Sequence, residues 1–306
     1  MEHEPLLISY LKQKGKSKTT IVTYLKIYRL YERWATCQRL DPEYANHTDL
    51  LDYIAHLRQQ GLVQNTIQNY LGALVHYFEA LVDKETIVHN PANYIQLKSQ
   101  PKHTLHTILS KGQLEELYTN FEVKGKRKTK ASAHASALRN RIAVGLMVFQ
   151  GLDVKDLGRL LKEDVNVLNG TVHIRASRTS AARTLALQAI QIIELDRYIG
   201  RTRKELQQHF NKEDSELLLI TGYSHYYDAH RRLMQRLQKQ EKTVKSTAQL
   251  RASVITHWLK QYNLREVQYM AGHKQIHSTE AYQRNDTEGL QMDIDRLHPS
   301  VNKAQA

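Results

Sequence analysis

The sequence contains little of what several large classes of protein require. Its single cysteine, Cys37, can form neither an internal disulfide nor a cysteine-based zinc site, which favours a reducing compartment. Five prolines and thirteen glycines in 306 residues are few for an all-β chain. No stretch approaches the ~18 consecutive apolar residues of a membrane span, and Glu2 and Glu4 stand where an export signal is basic. We therefore expect a mainly helical, cytoplasmic protein without a membrane segment.

Positive charge is in excess. The chain has 44 Lys and Arg against 31 Asp and Glu, a formal net charge of +13, which is typical of proteins that bind polyanions. Residues 1–105 carry 12 basic and 10 acidic side chains, whereas residues 106–306 carry 32 and 21. We expect a nucleic acid partner that contacts mainly the second part of the chain.

Apolar residues at spacings of three and four predict three amphipathic helices in the first part of the chain. These helices cover residues 19–36, entered at Ser17 as N-cap, 48–60 and 65–82. Asn90-Pro91 ends the group, and the polar run 98–106 resembles a linker. The sequence therefore predicts two domains, 1–102 and 103–306.

The second domain has mixed patterning. Segment 165–174, with a turn at Asn169-Gly170, and segment 184–187 predict two or three short strands. Helical patterns surround them, at 110–121 with Ser110 as N-cap, 143–149, 154–161, 189–198, 224–245, from Arg251 onward, and 264–270. The expected fold class is mainly α with a small β-sheet.

Three cationic clusters are candidate DNA contacts, and the first of them, with five cations in seven residues, cannot pack inside a core. The first could also be no more than a solvated loop. The clusters comprise Lys124, Lys126, Arg127, Lys128 and Lys130, then Arg175 and Arg183, and finally Arg231, Arg232 and Arg236, while Arg178, between Arg175 and Arg183, is a catalytic candidate.

Residues suited to phosphoryl transfer occur in the last sixty positions. A guanidinium such as Arg251 can bind two phosphate oxygens, the imidazole of His273 can donate another hydrogen bond, and the phenol of Tyr282 can attack phosphorus. This scheme requires neither a metal nor a cofactor. His273 and His277 have the i, i+4 spacing of a helical metal pair, but without a carboxylate pattern we expect no zinc site.

Three segments together, Gln249-Leu250-Arg251, residues 267–273 (VQYMAGH) and residues 279–282 (TEAY), resemble the C-terminal signature of the phage integrase (tyrosine recombinase) family. The resemblance implies a helical SAM-like core-binding domain followed by an α+β catalytic domain. It also implies that Tyr282 attacks a DNA phosphate to give a 3′-phosphotyrosine, while Arg251 and His273 bind that phosphate. In that family four protomers normally act on two double-stranded DNA sites. The resemblance therefore implies a homotetramer on DNA, or an assembly with a related recombinase, and a protein that belongs to a mobile element.

The family pattern is incomplete at three positions. In the family the first phosphate-binding arginine follows a Gly-Leu pair, whereas here Gly151-Leu152 is followed by Asp153. The position three residues before Arg251 is commonly histidine or lysine in the family and is Ala248 here. Arg178 aligns with the β-hairpin lysine that protonates the leaving oxygen, and a guanidinium is a poor proton donor. One of Arg175, Arg178 and Arg183 is hypothesised to replace the first arginine.

Two functions therefore remain open at this point: a site-specific recombinase or integrase located at the nucleoid, and a weak or inactive recombinase-like DNA-binding partner or regulator. Leu290, Ile294 and Leu297 form an apolar stripe near the C-terminus, which could pack on its own protomer or on a neighbouring one. The family resemblance implies the second, because C-terminal segments are exchanged between protomers in that family.

Overall fold

The computed structural model describes residues 3–97, 106–123 and 131–283. The chain divides into two compact units, Met1–Lys102 and His103–Ala306. The basic run 124–130 and the predicted C-terminal stripe lie outside the described residues. Within the described ranges, no helix combines the length and apolar character needed to cross a membrane.

Four helices form the first unit. They are α1 (Glu4–Gln13), α2 (Lys18–Cys37), α3 (His47–Gln59) and α4 (Gln64–Asp83). The Ser17 hydroxyl accepts a hydrogen bond from the backbone N–H of Thr20, which confirms the predicted start of α2. Helix α1 was not predicted, although it buries Leu7 and Leu11 against the other helices.

Aromatic side chains make up much of the first unit's core. Tyr28 and Tyr77 have ring centroids 4.7 Å apart, and Trp34 and Tyr53 have centroids 4.9 Å apart. Such offset pairs stabilise packing beyond the area they bury. The spacing of Tyr28, Tyr31 and Trp34 along α2 is therefore explained by core packing.

The second unit combines helices with a small sheet, as predicted. Its helices are α5 (Lys111–Thr119), α6 (Ala131–Val148), α7 (Val154–Arg159), α8 (Ala189–Arg197), α9 (Arg203–Phe210), α10 (Tyr226–Gln240), α11 (Thr247–Leu259), α12 (Leu264–Ala271) and α13 (His277–Gln283). The strands β1 (Val165–Asn166), β2 (Thr171–Ile174) and β3 (Arg183–Ala186) pair antiparallel in that order. Gly170 turns the chain between β1 and β2 with a φ of 60°.

Sequence periodicity missed helix α9, because part of its buried face is polar. Arg203 and Gln207 lie inside together with Leu206, and Arg203 is satisfied by the backbone carbonyls of Ser215 and Leu217. Hydrogen bonds from the buried Arg203 to backbone carbonyls therefore stabilise this face of α9, where apolar side chains cover the buried face of most helices.

The helix predicted over 224–245 is shorter than expected and ends at Gln240.

Candidate active site

Arg251 lies at the centre of the predicted phosphate-binding residues. The sequence predicted that this helix begins at Arg251, which is wrong. Helix α11 has Ser246 as its N-cap, so Arg251 lies in the second turn. Its Nη1 donates to the Gly151 carbonyl and its Nη2 to the Ala271 carbonyl, both at 2.6 Å. A guanidinium has five N–H donors, so two carbonyls leave others available to a phosphate.

His273 follows Gly272, which ends α12 in the left-handed conformation with a φ of 70°. Its Nε2 lies 3.4 Å from Arg251 Nη2, and its Nδ1 lies 2.9 Å from the Thr279 hydroxyl. Burial, with the nearby charges of Arg251 and Arg183, lowers the pKa of His273 to about 4. The imidazole is therefore neutral at pH 7, and because arginine only donates, Nε2 is its acceptor atom and Nδ1–H faces Thr279.

Tyr282 is on α13, with its ring stacked on the imidazole of His273. The two ring centroids are 5.6 Å apart and the planes are inclined by 13°. The tyrosine is partly buried against Ile255 and Val267. Helices α11, α12 and α13 thus bring together the three side chains that the sequence analysis singled out.

Asp153, at the family's first-arginine position, has a local structural role. Its Oδ1 accepts hydrogen bonds from the backbone N–H groups of Lys155 and Asp156, at 2.8 and 2.9 Å, and so caps α7. Aspartate is a preferred N-cap residue because its carboxylate satisfies amides that have no helical partner. An arginine at this position could not cap the helix in the same way.

Arg183 is inside the protein, although it was a candidate DNA contact. Its side chain has no exposed surface, and its Nη2 donates to Asp156 Oδ2 at 2.6 Å. Asp156 also accepts from Arg159 Nη2 at 2.7 Å. A Cβ atom at Gly272 would collide with the Arg183 guanidinium. Arg183 therefore supports the Gly272–His273 turn from within and does not reach the surface.

The loop between β2 and β3 is bonded to that same turn. The backbone N–H of Ala181 donates to the Gly272 carbonyl at 2.9 Å, and Ser180 and His273 form an isolated antiparallel bridge. Arg159 Nη1 donates to the Ala176 carbonyl at 3.1 Å. These contacts fix the loop beside His273.

The other two arginines of this loop differ in their partners. Arg175 donates from Nε to Asp164 at 2.8 Å and from Nη2 to Glu163 at 2.5 Å, so two carboxylates offset its charge. Arg178 is exposed, and within the described ranges its guanidinium forms no ion pair. Its backbone carbonyl accepts a hydrogen bond from Lys274 Nζ at 3.1 Å.

Helix α10 presents the third candidate cluster. Arg231 and Arg232 are exposed, and the Arg232 guanidinium lies 5.0 Å from the ring centroid of Tyr223. Arg236 lies 4.6 Å from the Phe121 ring centroid and donates to the Glu122 carbonyl at 3.0 Å. Arg236 thus fixes α10 to the residues that immediately precede the basic run 124–130.

Sequence reasoning missed the polar residues that support this site. Asp156 and Arg159 gave no signal, because Arg183 and Ser180, which they contact, are distant in sequence, and Thr279 was noted only as part of the TEAY segment and not as a partner of His273. His230 was also missed: it is buried, its Nε2 lies 2.6 Å from the Thr247 hydroxyl, and burial lowers its pKa to about 4. Among the described residues, no three His, Cys, Asp or Glu side chains are placed to hold a metal ion.

Family profiles match both units of the chain. The phage integrase family matches residues 107–288, and the phage integrase N-terminal SAM-like domain matches residues 6–85. The class defined by fold and site is therefore that of the tyrosine recombinases. The chain belongs to the phage integrase family.

Curated relatives are similar along most of their length. Tyrosine recombinase XerD of Oceanobacillus iheyensis is 25% identical over 87% of this chain and 84% of its own. Tyrosine recombinase XerA of Pyrococcus furiosus is 26% identical, covering 95% of this chain and 92% of its own. This chain therefore spans nearly the full length of such relatives.

Solved structures share the fold. XerH site-specific recombinase, bound to a palindromic difH substrate, has a TM-score of 0.66 at 18% identity, covering 94% of this chain and 82% of its own. The Tn1549 transposon integrase, in complex with transposon right end DNA, has a TM-score of 0.61 at 16% identity, covering 96% and 98%. At these identities the likeness establishes the fold.

Proposed function

We propose that this chain is an active site-specific recombinase that cuts and rejoins double-stranded DNA through Tyr282. The observation that supports this most directly is the environment of Arg251. Within the described residues, its hydrogen-bond partners are two carbonyl oxygens and the imidazole of His273. No carboxylate among these partners offsets its charge, which remains available to a phosphate.

This geometry supports the following strand-cleavage step. Arg251 binds the non-bridging oxygens of the scissile phosphate. His273 donates from Nε2 in its other neutral tautomer, in which the Nδ1 proton has passed to solvent, Nε2 has taken one up, and the Thr279 hydroxyl donates to Nδ1. The Tyr282 oxygen attacks phosphorus, which gives a 3′-phosphotyrosine and a free 5′-hydroxyl. The 5′-hydroxyl of the partner strand then loses its proton and attacks phosphorus, the bond between phosphorus and the Tyr282 oxygen breaks, and that oxygen takes up a proton, which rejoins the DNA and restores the tyrosine.

The missing first arginine requires a replacement, because losing one such donor costs roughly two to three orders of magnitude in rate. Of the three loop arginines, we propose Arg178 as the group that contacts the phosphate. It is exposed, whereas Arg175 and Arg183 are bonded to carboxylates. Arg183 acts indirectly, by supporting Gly272.

Duplex DNA is the proposed partner, held by the exposed cations of α10 and by the basic run 124–130. Both structures cited above contain DNA, which supports this assignment. We propose that strand exchange takes place in a tetramer on DNA, formed by four copies or together with a related recombinase, at the nucleoid of the cytoplasm.

The test begins by selecting duplexes that the protein retains from a random-sequence pool. Nicked versions of the selected site trap the covalent intermediate, because the short strand released by cleavage diffuses away. We expect a protein–DNA adduct that survives denaturation and is absent from Tyr282→Phe. Tyr269→Phe is the matched control, since Tyr269 is an exposed tyrosine on α12 whose hydroxyl accepts from the Thr184 N–H.

Site-specific retention without any adduct would contradict the proposal. That result would favour the alternative function, a recombinase-like DNA-binding partner without chemistry of its own. Addition of a related active recombinase would then reveal whether this chain joins a mixed assembly.

A further inference from the structure

The β2–β3 loop lacks a residue that can protonate the leaving 5′-oxygen. Cleavage breaks the bond between phosphorus and that oxygen, and an alkoxide is a poor leaving group unless it receives a proton. Arg178 cannot supply it, because guanidinium groups stay protonated at any pH a protein tolerates. A lysine ammonium can, since its pKa lies near 10.4.

The structure brings an ammonium to this loop from another element. Lys274 directly follows His273, and its Nζ donates to the backbone carbonyl of Arg178 at 3.1 Å. The loop itself is bonded to the Gly272 carbonyl through the Ala181 N–H. The amine of Lys274 therefore lies beside the backbone of Arg178. Lys274 belongs to the same turn as His273, whose imidazole faces Arg251.

The surroundings of Lys274 leave its proton available. The side chain is exposed, and in the described part of the chain its ammonium is bonded to a carbonyl and forms no ion pair with a carboxylate. Arg175 and Arg183, by contrast, are paired with acids. Lysine also has a flexible stem, so Nζ can exchange the carbonyl for a DNA oxygen without moving the backbone.

We propose that Lys274 is the general acid of strand cleavage, a role that rests on the recombinase function proposed above. The Tyr282 oxygen bonds to phosphorus while the phenol proton passes to solvent. The bond between phosphorus and the 5′-oxygen breaks with its electron pair on oxygen, which takes a proton from Lys274 Nζ. During rejoining the neutral amine takes the proton of the attacking 5′-hydroxyl, the bond between phosphorus and the Tyr282 oxygen breaks, and that oxygen recovers a proton from solvent.

The experiment compares two leaving groups in single-turnover cleavage of the selected, nicked duplex. One substrate has the normal 5′-bridging oxygen, and the other has a 5′-bridging sulfur. A thiol has a pKa near 8.5, so a thiolate leaves without needing a proton. The proteins are the parent chain, Lys274→Ala, Lys274→Arg and Lys162→Ala, the last removing an exposed lysine outside the site.

General acid catalysis contributes about 10²- to 10⁴-fold. We therefore expect Lys274→Ala and Lys274→Arg to cleave the oxygen substrate at least about 100-fold more slowly than the parent. On the sulfur substrate we expect both variants within about tenfold of the parent. Lys162→Ala should match the parent on both substrates.

Several outcomes would overturn the assignment. Unchanged cleavage by Lys274→Ala on the oxygen substrate would exclude the role, and an equal defect on both substrates would make Lys274 a binding residue. If the parent formed an adduct only with sulfur, Tyr282 would be the nucleophile but the chain would lack a general acid. No adduct with either substrate would instead refute the recombinase function itself.

Discussion

The two halves of the candidate site use arginine in opposite ways. On helices α11–α13, Arg251 is bonded to two carbonyls and an imidazole, so its charge remains available to a ligand. On the side of α7 and the β2–β3 loop, Arg175 and Arg183 are bonded to carboxylates. The number of cations near a site therefore does not measure its capacity to bind phosphate, because partners of opposite charge offset them.

The largest effect is expected for the buried carboxylate of the α7 half. Asp156→Asn leaves the Arg183 guanidinium buried without a counter-charge, which typically costs about 3–5 kcal/mol in the free energy of unfolding. Urea denaturation measures this. The control is Asp228→Asn, whose pair with Arg231 is exposed and spans 3.9 Å, and which should cost less than about 1 kcal/mol. Equal losses in the two variants would show that Asp156 and Arg183 do not act as a buried pair.

A second prediction concerns catalysis in the α11–α13 half. Arg251→Lys retains a positive charge but loses the planar fork that bridges two phosphate oxygens. We expect the single-turnover cleavage rate to fall by about 10²- to 10³-fold with little change in DNA affinity. A comparable loss of affinity would mean that Arg251 mainly binds DNA. Arg201→Lys is the control, because Arg201 is exposed and forms a surface ion pair with Glu205.

The third prediction concerns pH. The pKa values of His273 and His230 are lowered from 6.5 to about 4 in the folded chain, in each case chiefly by burial. Between pH 6.5 and 4 the unfolded chain therefore binds protons that the folded chain does not, so the free energy of unfolding decreases as the pH falls. The loss levels off below about pH 4. It should amount to at most about 3 kcal/mol for the buried His230 and to less for His273, which is partly exposed.

Replacing one histidine tests this assignment. His230→Gln should reduce the dependence of unfolding free energy on pH between 6.5 and 4, whereas His209→Gln, at an exposed position of α9, should leave it unchanged. A parental slope in His230→Gln would show that other groups cause the acid sensitivity.

The smallest expected effect is on DNA binding, as distinct from the cleavage rate, and it distinguishes two arginines of the same loop. Arg178→Ala should weaken DNA binding and reduce the slope of log affinity against log salt by about one, as for the loss of one phosphate contact. Arg175→Ala should leave that slope unchanged, because Asp164 and Glu163 already offset its charge. Titrations at several salt concentrations measure both slopes, and equal changes would contradict the proposed difference between these arginines.

Local patterns predicted much of the fold. Ser17 and Ser110 cap α2 and α5 as expected, and the turn at Gly170 separates β1 from β2. Such features depend on neighbouring residues, so a sequence is sufficient to find them. Helix α9 was not predicted, because its buried face includes Arg203 and Gln207, whose side chains donate hydrogen bonds to backbone carbonyls outside the helix.

Part of the site could be predicted because its residues lie on consecutive short helices near the C-terminus. The order of Arg251, His273 and Tyr282 carried the family resemblance, and α11–α13 bring them together. The other part could not, since Asp156 and Arg183 are 27 positions apart and meet only after α7 and β3 have packed. Lys274 gave no signal either, because its contact with the Arg178 carbonyl spans 96 positions.

The sequence by itself determined the helix caps at Ser17 and Ser110, the positive charge of the second unit and the family to which the chain belongs, because these depend on residue type and local spacing. Only the tertiary structure decided which cations remain available to DNA. Arg175, Arg178 and Arg183 are equivalent in a sequence, but folding pairs two of them with carboxylates and leaves the third exposed. The physical reason is that ion pairing and burial depend on distances between segments, which the linear order of residues does not contain.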